Sequence, residues 1–180
     1  DIGANLYAVS ADGALLWIVD ALLGQEGLAD EAPVQVGADG TIYVATNPLG
    51  PTVELVAFHP DGSHKWTYTV PTAMTWQAGP TIGPDGRLYA ALNSSQLNGL
   101  DYDVLAINVD GTPAWTEAAD PAIFETAAPG SRMVFGPSTP GGPLDQMLFT
   151  AAGFAPFLNY SFRISDGHQN FTVPLGSGTD

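Results

Sequence analysis

Short runs in which apolar and polar positions alternate recur along the chain, and each run ends in a turn. Leu6-Tyr7-Ala8-Val9 leads to Asp12-Gly13 and Leu55-Val56-Ala57-Phe58 to Asp61-Gly62. Val104-Leu105-Ala106-Ile107 leads to Asp110-Gly111, and Tyr160-Ser161-Phe162-Arg163-Ile164 to Asp166-Gly167. A period of two that stops at Asp-Gly predicts a strand entering a hairpin, because both residues tolerate the positive φ of the primed two-residue turn. An aromatic follows five residues after each Asp, at Trp17, Trp66, Trp115 and Phe171, and the Asp spacings are 49, 49 and 56 residues. A second Asp-Gly series interleaves with the first, in Val36-Gly37-Ala38-Asp39-Gly40-Thr41-Ile42-Tyr43-Val44 and Ile82-Gly83-Pro84-Asp85-Gly86-Arg87-Leu88-Tyr89-Ala90. Its last copy has decayed to Phe135-Gly136-Pro137-Ser138-Thr139-Pro140-Gly141-Gly142.

Each full unit then holds four short strands; in the third they run from Gly79 to Gly83, Arg87 to Leu92, Asp103 to Val109 and Thr112 to Glu117. Two Asp-Gly hairpins per unit imply a four-stranded antiparallel meander, and a period near 49 predicts an all-β protein built as a β-propeller. The expected organisation is a half blade over residues 1–20, blades over about 32–71, 78–120 and 132–175, and a tail or linker over 176–180. That is about three and a half blades, whereas closed propellers use roughly four to eight. The expectation is a partial ring, from a processed or fragmentary chain, or one completed in trans, where two copies would bring seven blades.

The pattern Leu-Tyr-Ala-Val-x-x-Asp-Gly-x-x-x-Trp, alternating with Pro-x-x-Gly-x-Asp-Gly-x-Ile/Leu-Tyr-Val/Ala, resembles the pyrroloquinoline quinone (PQQ)-like β-propeller repeat over nearly the whole chain. The resemblance implies that Trp17, Trp66 and Trp115, with Phe171 as a substitution, dock between blades. For a dehydrogenase of that family it would further imply a calcium-bound quinone, a catalytic Asp and commonly adjacent cysteines. The chain has no Cys.

Composition narrows the function. Four Lys and Arg against nineteen Asp and Glu give a net charge of −15, so no basic stripe exists to neutralise a phosphate backbone. No apolar run approaches the roughly 20 residues that a membrane-spanning helix needs. Few lysines, an acidic surface and the lack of Cys favour a secreted, periplasmic or cell-surface protein. Asn-x-Ser/Thr triplets begin at Asn93, Asn159 and Asn170 and are candidate glycan acceptors on an exported chain.

The regular spacing of the four docking aromatics argues for packing, since a repetitive core needs the same contact in every unit. Trp76 stands outside that series, in a connection between blades, and with Tyr102 and the 93–103 loop is the candidate ligand- or partner-binding surface. Asp101 and Asp103 flank Tyr102 with oxygen donors at alternating positions, a weak calcium signal without the full Asp-x-Asp-x-Asp-Gly loop. His59, His64 and His168 form no metal-binding spacing, and the acidic residues between blades, such as Glu26, Asp30 and Glu31, read as solvated surface. The sequence therefore predicts a non-catalytic exported scaffold that binds proteins or itself. A glycan- or small-molecule-binding propeller and a fragment of a PQQ-dependent dehydrogenase are the alternatives.

Overall fold

The computed structural model describes residues 5–19, 34–46, 53–70, 74–94, 102–119, 133–151 and 158–174. Among these residues the chain is all-β, with fourteen strands in four antiparallel sheets and no helix. The first sheet is a hairpin of β1 (Leu6–Val9) and β2 (Leu15–Val19). The second runs in chain order through β3 (Gln35–Val36), β4 (Ile42–Thr46), β5 (Glu54–Phe58) and β6 (His64–Thr69). The third holds β7 (Met74–Ile82), β8 (Leu88–Ser94), β9 (Tyr102–Ile107) and β10 (Pro113–Ala119). The fourth holds β11 (Met133–Gly136), β12 (Gln146–Ala151), β13 (Leu158–Arg163) and β14 (Gln169–Pro174).

Each four-stranded sheet is a meander because every consecutive pair of strands is joined locally and the Asp-Gly turns reverse the chain at once. Alternation within a strand divides its side chains between two neighbouring sheets. Val56 and Phe58 of β5 join Val44 against Leu6 and Val19 of the first hairpin. Leu55 and Ala57 of the same strand pack on Leu88, Ala90, Leu92, Leu105 and Ile107 of the third sheet. The other face of the third sheet, with Tyr89, Ala91, Val104 and Ala106, covers Met133, Met147, Phe162 and Ile164 of the fourth. The core is thus a series of sheet-to-sheet layers, each buried by removing apolar area from water on both sides.

One row of side chains recurs across the sheets. Gln35, Tyr43, Ala57 and Trp66 are successive register partners in the second sheet, and Thr81, Tyr89, Ala106 and Trp115 in the third. The fourth has Val134, Leu148, Ser161 and Phe171. Small residues at the third place let the rings on either side of them meet, so Tyr43 and Trp66, like Tyr89 and Trp115, stand 5.8 Å apart.

The third sheet departs from the sequence expectation at its first strand. Gly79-Pro80 reads as a strand start, yet β7 begins at Met74 and pairs with β8 from Met74 opposite Ser94. Register shifts between Trp76 and Ala78 and between Ala78 and Thr81 take up the proline, which cannot donate to a ladder. Trp76 therefore lies on a strand and not in a connection.

Candidate interaction surface

The tryptophans that follow the Asp-Gly turns staple each sheet to the next. The Trp17 indole N–H donates to the Pro60 carbonyl at 3.0 Å, that of Trp66 to Val109 at 3.0 Å, and that of Trp115 to Ile164 at 3.1 Å. Every acceptor belongs to the turn that precedes the following sheet's last strand, and each ring lies over the glycine of that turn. A Cβ on Gly62 would stand 2.9 Å from the Trp17 ring, on Gly111 2.7 Å from Trp66, and on Gly167 2.5 Å from Trp115. Gly13 occupies the same place in the first hairpin, with φ +87°, and no described atom lies within 4 Å of a Cβ built there.

The carboxylates of the turns are committed to backbone geometry. Asp61 accepts the Ser63 N–H and hydroxyl at 2.9 and 2.6 Å, and Asp110 accepts those of Thr112 at 3.0 and 2.6 Å. Asp39 accepts the hydroxyl and N–H of Thr41 at 2.7 and 3.0 Å, with the Lys65 ammonium at 3.3 Å, and these contacts hold its carboxyl down at about 2. Hydrogen bonds from Ser138, Ser63 and Thr112 likewise lower Asp145, Asp61 and Asp110. A carboxylate stabilised in its charged form is a poor general base.

A second polar group ties the third sheet to the fourth. The Tyr89 hydroxyl donates to Asp85 Oδ2 at 2.8 Å, with the Ile164 carbonyl 3.2 Å away as its other acceptor. Arg87 Nε donates to Asn108 Oδ1 at 3.1 Å, and its Nη1 lies 3.4 Å from both Asp85 and the Ile164 carbonyl. Burial, then the hydrogen bond with Asp85, raises the Tyr89 phenol above its ordinary range. Nothing local in the sequence reveals this group, because Arg87 and Ile164 lie 77 residues apart, next to strands of different sheets.

The sequence-selected residues disperse. Trp76 is partly buried in the layer between the second and third sheets, and its indole N–H donates to the Thr46 carbonyl at 3.1 Å. Its polar handle is therefore spent within the protein. Tyr102 and Asn93 are register partners at the ends of β9 and β8, and Asp103 sits between Leu92 and Ala118 in the same ladders. Asp101 lies outside the described residues, as does the 95–101 part of the loop. Among the described residues no three His, Cys, Asp or Glu side chains gather to hold a metal. Asn159 is on β13, Asn170 and Phe171 are on β14, and Phe171 stands opposite Ser161.

A cleft of about 400 Å³ opens in the fourth sheet beside Ser138, Asp145, Gln146, Arg163, Ile164 and Ser165. Ser138 donates to Asp145 through both its N–H and its hydroxyl, at 2.7 and 2.6 Å, the same arrangement as the other turn caps. These bonds hold the Asp145 carboxyl in its charged form, which makes it a poor base toward that hydroxyl.

The feature that the sequence reading missed is an open apolar face. Tyr7 opposite Ile18 and Val9 opposite Leu15 form two cross-strand pairs on the first hairpin, 56, 50, 58 and 56% exposed. The corresponding residues of β5, Val56 and Phe58, are 6 and 3% exposed, and those of β9, Leu105 and Ile107, 2 and 0%. Comparison with protein-family models and with curated proteins finds no match to this chain. Among the described residues no helix is long and apolar enough to cross a membrane.

Proposed function

We propose that the four sheets are blades of a β-propeller of the PQQ-like repeat kind, and that the chain is a non-catalytic, exported scaffold for protein contacts. The observation that carries this reading is a contrast between two sets of side chains. The turn carboxylates that chemistry would use are spent on hydrogen bonds that cap their own turns, whereas Tyr7, Val9, Leu15 and Ile18 leave an apolar face open to water. Contiguous exposed apolar surface is characteristic of a contact site.

The dehydrogenase alternative needs a calcium ion with six to eight oxygen ligands. No cluster of carboxylates among the described residues fits that demand.

Photo-crosslinking in the source cells tests the scaffold reading, with the crosslinker at Tyr7 on the open face and at exposed Thr116 as the reference. Protein adducts from position 7 in excess of those from position 116 are expected. Equal yields from both positions overturn the reading, as does stoichiometric PQQ binding with reduction of a dye by alcohols or sugars.

A further inference from the structure

We propose that the cleft in the fourth sheet is a binding site for a neutral, polyhydroxylated ligand the size of a monosaccharide. The inference goes beyond the scaffold reading and concerns a different surface. Its origin is a lengthened turn. Residues 37–41 join β3 to β4 and residues 83–87 join β7 to β8, five in each case, whereas nine residues, 137–145, join β11 to β12. In the short turns an aspartate caps the N–H two residues on, Asp39 that of Thr41 at 3.0 Å and Asp85 that of Arg87 at 3.2 Å. In the long one Asp145 reaches back seven residues to the N–H and hydroxyl of Ser138, and its own carbonyl accepts the Ile164 N–H at 3.1 Å. The loop is held closed in this way, and the cleft of about 400 Å³ beside it is within the range of small-ligand sites, roughly 300–1,000 Å³.

The buried polar residue in the wall is Gln146, 8% exposed. It stands two residues before Leu148 of the cross-strand row, as Thr41 stands before Tyr43 and Arg87 before Tyr89. Those two find partners within the protein, Thr41 in Asp39 and Lys65, and Arg87 in Asn108. Ser161, fully buried where β5 and β9 have Ala57 and Ala106, donates to Gln146 Oε1 at 2.7 Å and so fixes the amide. The Nε2 group then has no acceptor among the described residues. A buried N–H left without a partner is costly, so the cleft calls for an acceptor. Arg163, the register partner of Gln146, is half-exposed; its Nη1 donates to Asp166 at 2.8 Å and its guanidinium has further N–H groups to give. Asp145 has accepted two of the roughly four hydrogen bonds that a carboxylate takes. Donors and a carboxylate acceptor thus share one cleft, which suits hydroxyl groups, since each both gives and takes a hydrogen bond. Charge decides against ionic ligands. An anion meets Asp145 and the −15 of the chain, and a cation meets Arg163.

Nuclear magnetic resonance of the isotope-labelled full chain, titrated with glucose, galactose, mannose and their methyl glycosides to about 50 mM, is the test. At least one sugar is expected to bind saturably, with a Kd of about 0.1–10 mM, and to shift the Gln146 side-chain amide together with the backbone of Ser138, Arg163 and Ser165. Arg163→Met, at a half-exposed position, and Gln146→Met, which keeps the buried volume, are each expected to weaken binding about tenfold or more. Sodium acetate is expected to leave the same signals in place. A methyl glycoside that binds as tightly as its free sugar identifies the end of a glycan as the ligand, and one that does not bind identifies a free monosaccharide. The absence of a saturable shift with every sugar overturns the proposal and leaves an ordered water as the partner of Gln146. Binding that neither variant weakens overturns it too, as does acetate binding as tight as that of the sugar. None of these results bears on the scaffold reading, which crosslinking from Tyr7 tests on another sheet.

Discussion

The ring of Trp115 lies across Gly167, close enough that a Cβ added to the glycine would fall 2.5 Å from it, while the Trp115 N–H donates to the Ile164 carbonyl of the same turn. Glycine thus does two things there: it takes the left-handed backbone at φ +77° and leaves room for an aromatic from the preceding sheet. The two roles separate by comparison with Gly86, which has φ +83° and no described atom within 4 Å of its Cβ site. Gly86→Ala should cost only the conformational strain, about 1–2 kcal/mol. Gly111→Ala and Gly167→Ala add the displaced ring and should cost about 2–4 kcal/mol. Urea unfolding of the three variants measures the difference, and equal losses would show that the rings do not depend on the glycines.

Removing only the N–H from a staple isolates its hydrogen bond. Trp66→Phe keeps most of the ring area over Gly111 but leaves the Val109 carbonyl without its 3.0 Å donor, at a cost of about 1 kcal/mol. Trp66→Ala also empties the contact with Tyr43 and should cost about 3 kcal/mol or more. If both variants lose the same stability, the hydrogen bond rather than the packed ring holds the joint.

The strands and the staples were legible in the sequence for a shared reason. A repeated layer must bury the same face every time, so Trp17, Trp66 and Trp115 fall at fixed distances from Asp-Gly turns whose chemistry is local. Trp76 was misplaced because Gly79-Pro80 signals a break, whereas the bulges of β7 carry the strand past it. Asn93, Asn159 and Asn170 form sequons by spelling alone, and spelling does not show that they lie on β8, β13 and β14. The open face was invisible for a different reason. Tyr7-Ala8-Val9 alternates just as Val56-Ala57-Phe58 does, and only tertiary structure says which of the two has a neighbouring sheet above it.

Tyr89 is fully buried, with its hydroxyl shared between Asp85 and the Ile164 carbonyl, and its phenol is pushed above the ordinary tyrosine value of about 10. The folded state therefore binds a proton more tightly than the unfolded chain. This contribution to stability is fully present below about pH 10 and is lost as the pH rises through the folded value. Burial raises Tyr43 and Tyr68 in the same direction, so an ultraviolet titration should show a group of delayed tyrosines that is smaller by one in Tyr89→Phe. Ionisation of all tyrosines near pH 10 with the fold intact would contradict the buried network.

At the acid end the sign reverses. Asp39, with its two hydrogen bonds from Thr41 and the Lys65 ammonium nearby, titrates at about 2 in the folded chain, below the ordinary carboxylate value near 3.9. The unfolded chain therefore takes up a proton first, so the stabilisation is complete above about pH 4 and disappears as the pH falls toward 2. Asp12, Asp61, Asp110, Asp145 and Asp166 are shifted in the same direction by the same kind of turn hydrogen bond, so they add to the acid loss with the same sign. Against this, the net charge of −15 at neutral pH makes the compact state repel itself, and partial protonation on the way down relieves that repulsion. The urea midpoint is thus expected to hold or rise from pH 7 to about 4.5 and then to drop steeply below about 4. Asp39→Asn keeps an acceptor for Thr41 but cannot titrate, so it should lower the midpoint at pH 7 and flatten part of the acid fall. A midpoint unchanged down to about pH 2.5 would mean that the turn carboxylates hold the hairpins no better charged than neutral.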